Sequence, residues 1–319
     1  MQIAKSKILE KRQNYRDISD LKSGIEVIDS VFNDYIGNER QATKLWTGCE
    51  WAEGPVFLEK NNCVLLSDVP NNRILQYNIK SKITTIFREP SNFSNGNTVD
   101  LEGNLITCEH QTNRITRTDD KNKIITLVDN YKGKKLNSPN DVVVKSDGTI
   151  WFTDPPYGIL SDREGNKRES ELNGNYVFKL DPNTKELKIV FDQCDKPNGL
   201  AFSPDEKILY VADSGEPENI LAIEVNENGT ILSNPREFGK VSPGIADGFR
   251  IDSLGNIWTS AWDGVHCFSQ SGNLLGKIFI PEQRTANLVF GDLNYKTLYI
   301  AGDTSLYSIK LNIKGYINK

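Results

Sequence analysis

Histidine is almost missing from this chain, with only His110 and His266 in 319 residues. A zinc site built from several histidines, or a Ser/His/Asp triad supplied by several repeats, is therefore out of reach. Cysteine is sparse and odd in number. Cys49, Cys63, Cys108, Cys194 and Cys267 are scattered without a Cys-x-x-Cys pair, which predicts reduced thiols in strands rather than a disulfide framework. No apolar run approaches the ~18 to 20 residues needed to span a bilayer. Met1 to Arg12 carries charges where a secretory signal would need a continuous apolar stretch. Positive charge has no excess, since 38 Lys+Arg stand against 43 Asp+Glu for a net of -5. That balance offers no broad footprint for nucleic acid or an anionic membrane. A Walker-type loop, a dinucleotide glycine fingerprint and a Gly-x-Ser-x-Gly elbow are all absent. These exclusions leave an expected soluble, cytoplasmic protein, monomeric or homodimeric.

What the chain does have is one sentence written six times. In Leu136 to Asp154 a polar head ends at Asn140, an apolar run Val142 to Val144 follows, and Ser146-Asp147-Gly148 turns into a second apolar run, Thr149 to Phe152. Two β-branched runs joined by an Asp-Gly turn read as a hairpin. Sister units begin at Glu53, Asn97, Asn198, Asp247 and Asn287, so heads at 53, 97, 140, 198, 247 and 287 are separated by steps of 44, 43, 58, 49 and 40 residues. Units of ~40 to 50 residues worth about four strands each predict an all-β fold, a six-bladed β-propeller. Arg73 to Tyr77 with Ile83 to Phe87, and Tyr176 to Leu180 with Leu187 to Phe191, supply third and fourth strands. Trp151, Trp258, Trp262, Tyr210 and Tyr299 recur on second strands and are expected mainly as core between blades.

Residues 1–45 lack the repeat and are expected to be an N-terminal extension capping a propeller domain of residues 46–319. Ile25, Ile28, Val31, Phe32 and Tyr35 fall close to helical spacing, which predicts a short helix within Leu21 to Tyr35. The unit starting at Asn140 is stretched by Pro155 to Asn175. The Asp154-Pro155-Pro156-Tyr157-Gly158 start of that loop is a candidate for the central mouth, and the charged run Asp162 to Glu171 is expected to face solvent.

Heads of successive blades converge on the axis of a propeller, so Glu53, Asn140, Asn198 and Asp247 should meet. Two carboxylates and two amides form an all-oxygen set suited to a hard divalent cation, and that cation would neutralise a carboxylate pair that otherwise repels itself. Asn and Asp at strand entries are also ordinary turn formers; only their coincidence in register favours a site. Asn97 and Asn287 are read as neighbouring contacts rather than ligands. His110, at the end of a second strand, is either hydrogen-bonded in place or substrate-facing, His266 is expected to be structural, and Arg114 and Arg117 to be outer-strand surface charges.

Seven motifs then coincide in order: Trp51-Ala52-Glu53-Gly54-Pro55-Val56, Gly96-Asn97-Thr98, Thr107-Cys108-Glu109-His110, Ser138-Pro139-Asn140-Asp141-Val142, Phe152-Thr153-Asp154-Pro155-Pro156-Tyr157-Gly158, Pro197-Asn198-Gly199-Leu200 and Asp247-Gly248-Phe249. Together they resemble the gluconolactonase branch of the senescence marker protein (regucalcin) family, from about Val27 to Leu311. The resemblance implies a six-bladed propeller with one divalent cation at the top of its channel, Ca²⁺ first and Mg²⁺, Mn²⁺ or Zn²⁺ as alternatives. It implies hydrolysis of a sugar lactone, glucono-1,5-lactone or a related aldonolactone. Carried over by position, Glu53, Asn198 and Asp247 look like ligands, and Asn140 like a fourth ligand or a contact to water and substrate. Asp247, or water on the cation, would handle the proton, while Asn97, His110, Asn140 and Tyr157 are sensible partners for substrate hydroxyls. Phe249 stands where Met is usual in the family, which alters the pocket floor and leaves the ligand set intact. Two rivals stay open: a non-catalytic Ca²⁺-binding or interaction propeller, and an esterase or phosphotriesterase on the same metal centre.

Overall fold

The computed structural model describes residues 16, 17 and 20–317. Six antiparallel sheets stand around a central channel, each lining it with its first strand: Ala52–Leu58, Ser94–Val99, Val142–Val144, Pro197–Phe202, Phe249–Ile251 and Thr285–Gly291. Blades are numbered 1 to 6 in that order. The hairpin read from the sequence is present in blade 3, where Val142 pairs with Phe152 and Val144 with Ile150.

The ring closes through the N-terminal side of the chain. Blade 6 has only three strands from its own end of the sequence, and its outermost strand is Thr43–Thr47, paired with Ser305–Lys310. This strand lies across residues 45 and 46, joining the extension to the last blade. Leu21 to Tyr35 departs from the helical expectation. Gly24–Val27 is instead a fifth strand on blade 5, running from Gly24 opposite Phe279 to Val27 opposite Gly276, and the helix is a single turn, Phe32–Tyr35. An unpaired sheet edge offers backbone partners that a short isolated helix cannot match. Phe32 then packs on Trp258 with ring centroids 5.7 Å apart. The space for it exists because residue 276 is glycine, where a Cβ would come within 2.2 Å of the Phe32 ring.

Strand alternation divides the core between blades. In blade 3, Ile150 and Phe152 face Ile106, Cys108 and Ile115 of blade 2, whereas Trp151 faces Leu200, Phe202 and Val211 of blade 4. Trp151 and Trp258 are fully buried, as their expected inter-blade role requires, whereas Trp262 falls just past the end of the second strand Ile257–Ala261, half-buried under Arg284. All five cysteines are buried and unpaired. Among the described residues no helix is long and apolar enough to cross a membrane.

Candidate active site at the channel mouth

The site is made where the first strands break their own ladders. Register shifts fall between Glu53 and Val56, Ser94 and Asn97, Pro197 and Leu200, and Thr285 and Asn287. Freed from the partner strand, each head bonds sideways to the next blade: Gly96 N–H donates to Asn140 O at 2.7 Å, Gly199 N–H to Asp247 O at 3.0 Å, and Gly248 N–H to Ala286 O at 2.8 Å. The blades approach so closely that Gly54, at φ +46°, would put a Cβ 2.0 Å from Asn95 O. A glycine is needed there on both counts.

These contacts set the register of the ring: Glu53, Asn95, Asn140, Asn198, Asp247 and Ala286 are equivalent. Glu53, Asn140, Asn198 and Asp247 thus occupy equivalent places on successive blades, with Glu53 and Asp247 near enough for the charge of one to act on the other. In blades 2 and 6 the heads read from sequence, Asn97 and Asn287, lie two residues and one residue further along. The residue in register in blade 2 is Asn95, which sequence reasoning missed.

The side chains differ in what they leave open. Asn97 is spent on the protein: its Nδ2 has acceptors at 2.9 Å in Gly54 O, Ser67 Oγ and Asn95 O, and its Oδ1 accepts from Thr107 Oγ1 at 2.9 Å. Asn287 accepts from Leu288 N and hydrogen-bonds Glu53, fixing that carboxylate together with Gly54 N at 3.0 Å. The Asn198 amide is oriented by a hydroxyl. Ser214 commits its proton to Ala246 O at 2.7 Å, so its oxygen can only accept from Asn198 Nδ2, at 3.0 Å. That turns Asn198 Oδ1 away as an open acceptor. The Asn140 side chain is 5% exposed and takes no hydrogen bond from any described residue.

Charge is concentrated here. Burial pushes the Glu53 carboxyl well above the usual carboxylate range, and the negative charges of Asp247 and Asp141 push it further. Asp141, also missed from sequence, lies directly behind the ring; its Oδ2 sits 3.4 Å from Arg250 Nη1 and its Oδ1 accepts from Val142 N at 2.9 Å. Carboxylates and open amide oxygens in one ring are the donor set a hard cation fits. Glu53, Asn140, Asn198 and Asp247 are the residues able to hold it.

Carboxylates at the ends of second strands hold the approaches to the heads. Asp68 accepts from Glu50 N, Asp154 from Asn137 N and Ser138 N, and Asp213 from Asp195 N and Lys196 N, at 2.8 to 2.9 Å. Glu109 plays this part in blade 2 and pairs with Arg114 at 2.7 Å, so Arg114 is a partner of a buried acid and not the free surface charge expected.

The long loop of blade 3 crosses the head of blade 2. Tyr157 opens a single helical turn, Tyr157–Leu160, and is buried. The charged run does not simply face solvent as expected: Glu164 is buried, and Arg163 reaches Glu50 at 3.1 Å and Glu164 at 2.9 Å. Paired charges can be withdrawn from water where single ones cannot. His110 lies beneath this loop with no exposure, its Nδ1 2.9 Å from Glu164 O and its Nε2 3.3 Å from Asn95 Nδ2. Its ring does not open onto the channel. His266 is structural, bonded to Asp263 at 2.7 Å.

The class of protein that fold and site define is a six-bladed propeller with a cluster of carboxylate and amide oxygens at one end of its channel. Residues 51–304 match the family described as the SMP-30/Gluconolactonase/LRE-like region, and the chain belongs to that family. It is 34% identical over 290 residues to the gluconolactonase of Zymomonas mobilis, covering 83% of this chain and 80% of that one. It is 23% identical over 264 residues to the pentonolactonase XacC of Haloferax volcanii, covering 80% and 82%. The structure of XC5397, a gluconolactonase from Xanthomonas campestris, superposes with a TM-score of 0.86 at 35% identity, covering 91% of this chain and 95% of that one.

Proposed function

We propose that this chain is a metal-dependent lactonase that hydrolyses a sugar lactone, D-glucono-1,5-lactone or a related aldonolactone, to the aldonic acid. One observation carries the reading: buried carboxylates and amide oxygens left open by the protein converge at the channel mouth of a chain similar to gluconolactonases. A second relative is named a pentonolactonase, which supports reading aldonolactones of either chain length as substrates.

Glu53, Asn140, Asn198 and Asp247 would hold one divalent cation, Ca²⁺ being the best match to a set of oxygens half of which are neutral amides. When bound, it supplies Lewis acidity to the lactone carbonyl and charge stabilisation to the tetrahedral oxyanion. The chain's own residues do the rest. Asp247 is half-buried at the mouth and is the general base: its carboxylate takes a proton from the attacking water as the new C–O bond forms at the carbonyl carbon. It returns that proton to the ring oxygen as the ring C–O bond breaks, and the product acid ionises. Asp247 is held by its own N–H on Ser260 Oγ at 3.2 Å and by Gly199 N–H on its carbonyl. Tyr157 and Asn140 are the contacts for substrate hydroxyls, while Asn97 serves the fold that brings Glu53 and Asn95 together.

Acid release from D-glucono-1,5-lactone, followed in a pH-stat above the spontaneous rate, tests this. Turnover should stop with chelator and return with Ca²⁺. Turnover that survives complete chelation would remove the cation from the proposal, and no turnover of any aldonolactone would remove the activity.

A further inference from the structure

We infer that Asn95 contacts the substrate in the lactonase site and that His110 is a positioning residue acting through it; the inference rests on the lactonase reading above. The argument starts at a carbonyl. Glu164 O can only accept, so His110 Nδ1, 2.9 Å away, carries the ring proton. In that tautomer Nε2 is a bare lone pair, and the group 3.3 Å from it must donate, which is Asn95 Nδ2. The Asn95 amide is thereby fixed with Oδ1 turned away from His110.

That oxygen is a placed acceptor. Asn95 is 5% exposed, no described residue donates to its Oδ1, and its backbone is in register with Glu53, Asn140, Asn198 and Asp247. A polyhydroxylated lactone brings the hydroxyl donors that would meet this acceptor. His110 cannot turn out of this arrangement. It is covered by the blade 3 loop, and Gly158 packs so closely that a Cβ there would stand 2.6 Å from His110 Cβ. The loop of blade 3 therefore sets the polarity of an amide in blade 2.

The test uses the Ca²⁺-loaded full chain with D-glucono-1,5-lactone and deoxy analogues that lack one ring hydroxyl each. Asn95→Ala should raise KM for the parent lactone about three- to tenfold, with the larger share of the loss in KM rather than kcat. One deoxy analogue should show the same rise with the wild type and no further rise with Asn95→Ala. His110→Leu should reproduce the Asn95→Ala pattern, and His110→Gln, whose amide oxygen can accept from Asn95, should recover part of it. Ca²⁺ affinity by calorimetry should be unchanged in all three variants, which also reports an intact fold. An unchanged KM in Asn95→Ala, with wild-type turnover, overturns this inference alone. Weakened Ca²⁺ binding in both Asn95→Ala and Asn95→Ser makes Asn95 a ligand and overturns it as well. A wild-type chain that hydrolyses none of the lactones overturns the functional reading and takes this inference with it.

Discussion

The two ends of the central channel are built from the same six strands and differ in almost every property that matters for chemistry. The lower end holds a cavity of about 600 Å³ walled by Val56, Val143, Phe202, Val289 and Phe290 with Arg250 in its lining. Its strands keep a regular ladder there, as where Phe57 pairs with Val64 and Val143 with Trp151. At the upper end the ladders shift, backbones bond across blades, and the side chains of Asn140 and Asn198 keep oxygens that no described residue claims. What marks the chemistry is a ring of polar oxygens that the fold leaves unclaimed.

The largest effect that could break this contrast is at Asp247. Asp247→Ala removes both a ligand and the proposed base, and kcat/KM should fall by about three orders of magnitude or more. A loss below tenfold would move the catalytic centre away from the upper ring.

Next comes the boundary between the ends, the Asp141–Arg250 pair, with side chains 2% and 16% exposed. Arg250→Met leaves Asp141 buried beside Glu53 without its cation, a change that should cost about 3 kcal/mol in urea unfolding. A cost under about 0.5 kcal/mol, the size of an ordinary surface substitution, would show that the two ends are electrostatically independent.

Asn140 sharpens the contrast from the other side. Because its amide makes no hydrogen bond among the described residues, Asn140→Ala should leave the stability of the metal-free chain within about 0.5 kcal/mol. The same substitution should weaken Ca²⁺ binding at least about tenfold, the scale on which metal sites respond to loss of a supporting group. Calorimetry and urea melts on one preparation measure both. A destabilised apo chain with unchanged Ca²⁺ affinity would return Asn140 to the role of a turn former.

How far this ring could be read in advance depends on the ladder. Where a head is a lone polar residue before an apolar run, as at Glu53, Asn140, Asn198 and Asp247, motif and spacing identify it. Ser94-Asn95-Gly96-Asn97 offers two amides two residues apart, and both point to the same side of an ideal strand. Only the shift between Ser94 and Asn97 decides which one reaches the ring, and that shift is a product of blade-to-blade contact. The blade count was legible because turns and β-branched runs are local signals. Ring closure by Thr43–Thr47 and the edge strand Gly24–Val27 were not, since each is specified by an open edge some 250 residues away in sequence. Asp141 was hidden for a third reason: next to Asn140 it looks like one half of a turn pair, and its value lies in Arg250 from another blade.

The smallest expected effect concerns what keeps the upper end rigid. Asp154 accepts from Asn137 N and Ser138 N, both at 2.8 Å, and burial raises its carboxyl from the ordinary 3.8 to about 7 in spite of those two donors. The folded chain therefore binds this proton more tightly than the unfolded chain does. The associated stability is fully present below pH ~4 and is lost as pH rises through about 7. Asp154→Asn cannot titrate, so the difference in Tm between wild type and variant should shift steadily against the wild type from about pH 4 to 7 and level off above about 7. A difference independent of pH over that range would mean that Asp154 enters the folded state ionised. The clamp on Asn137 and Ser138 would then be a charged one, stronger than its buried setting implies.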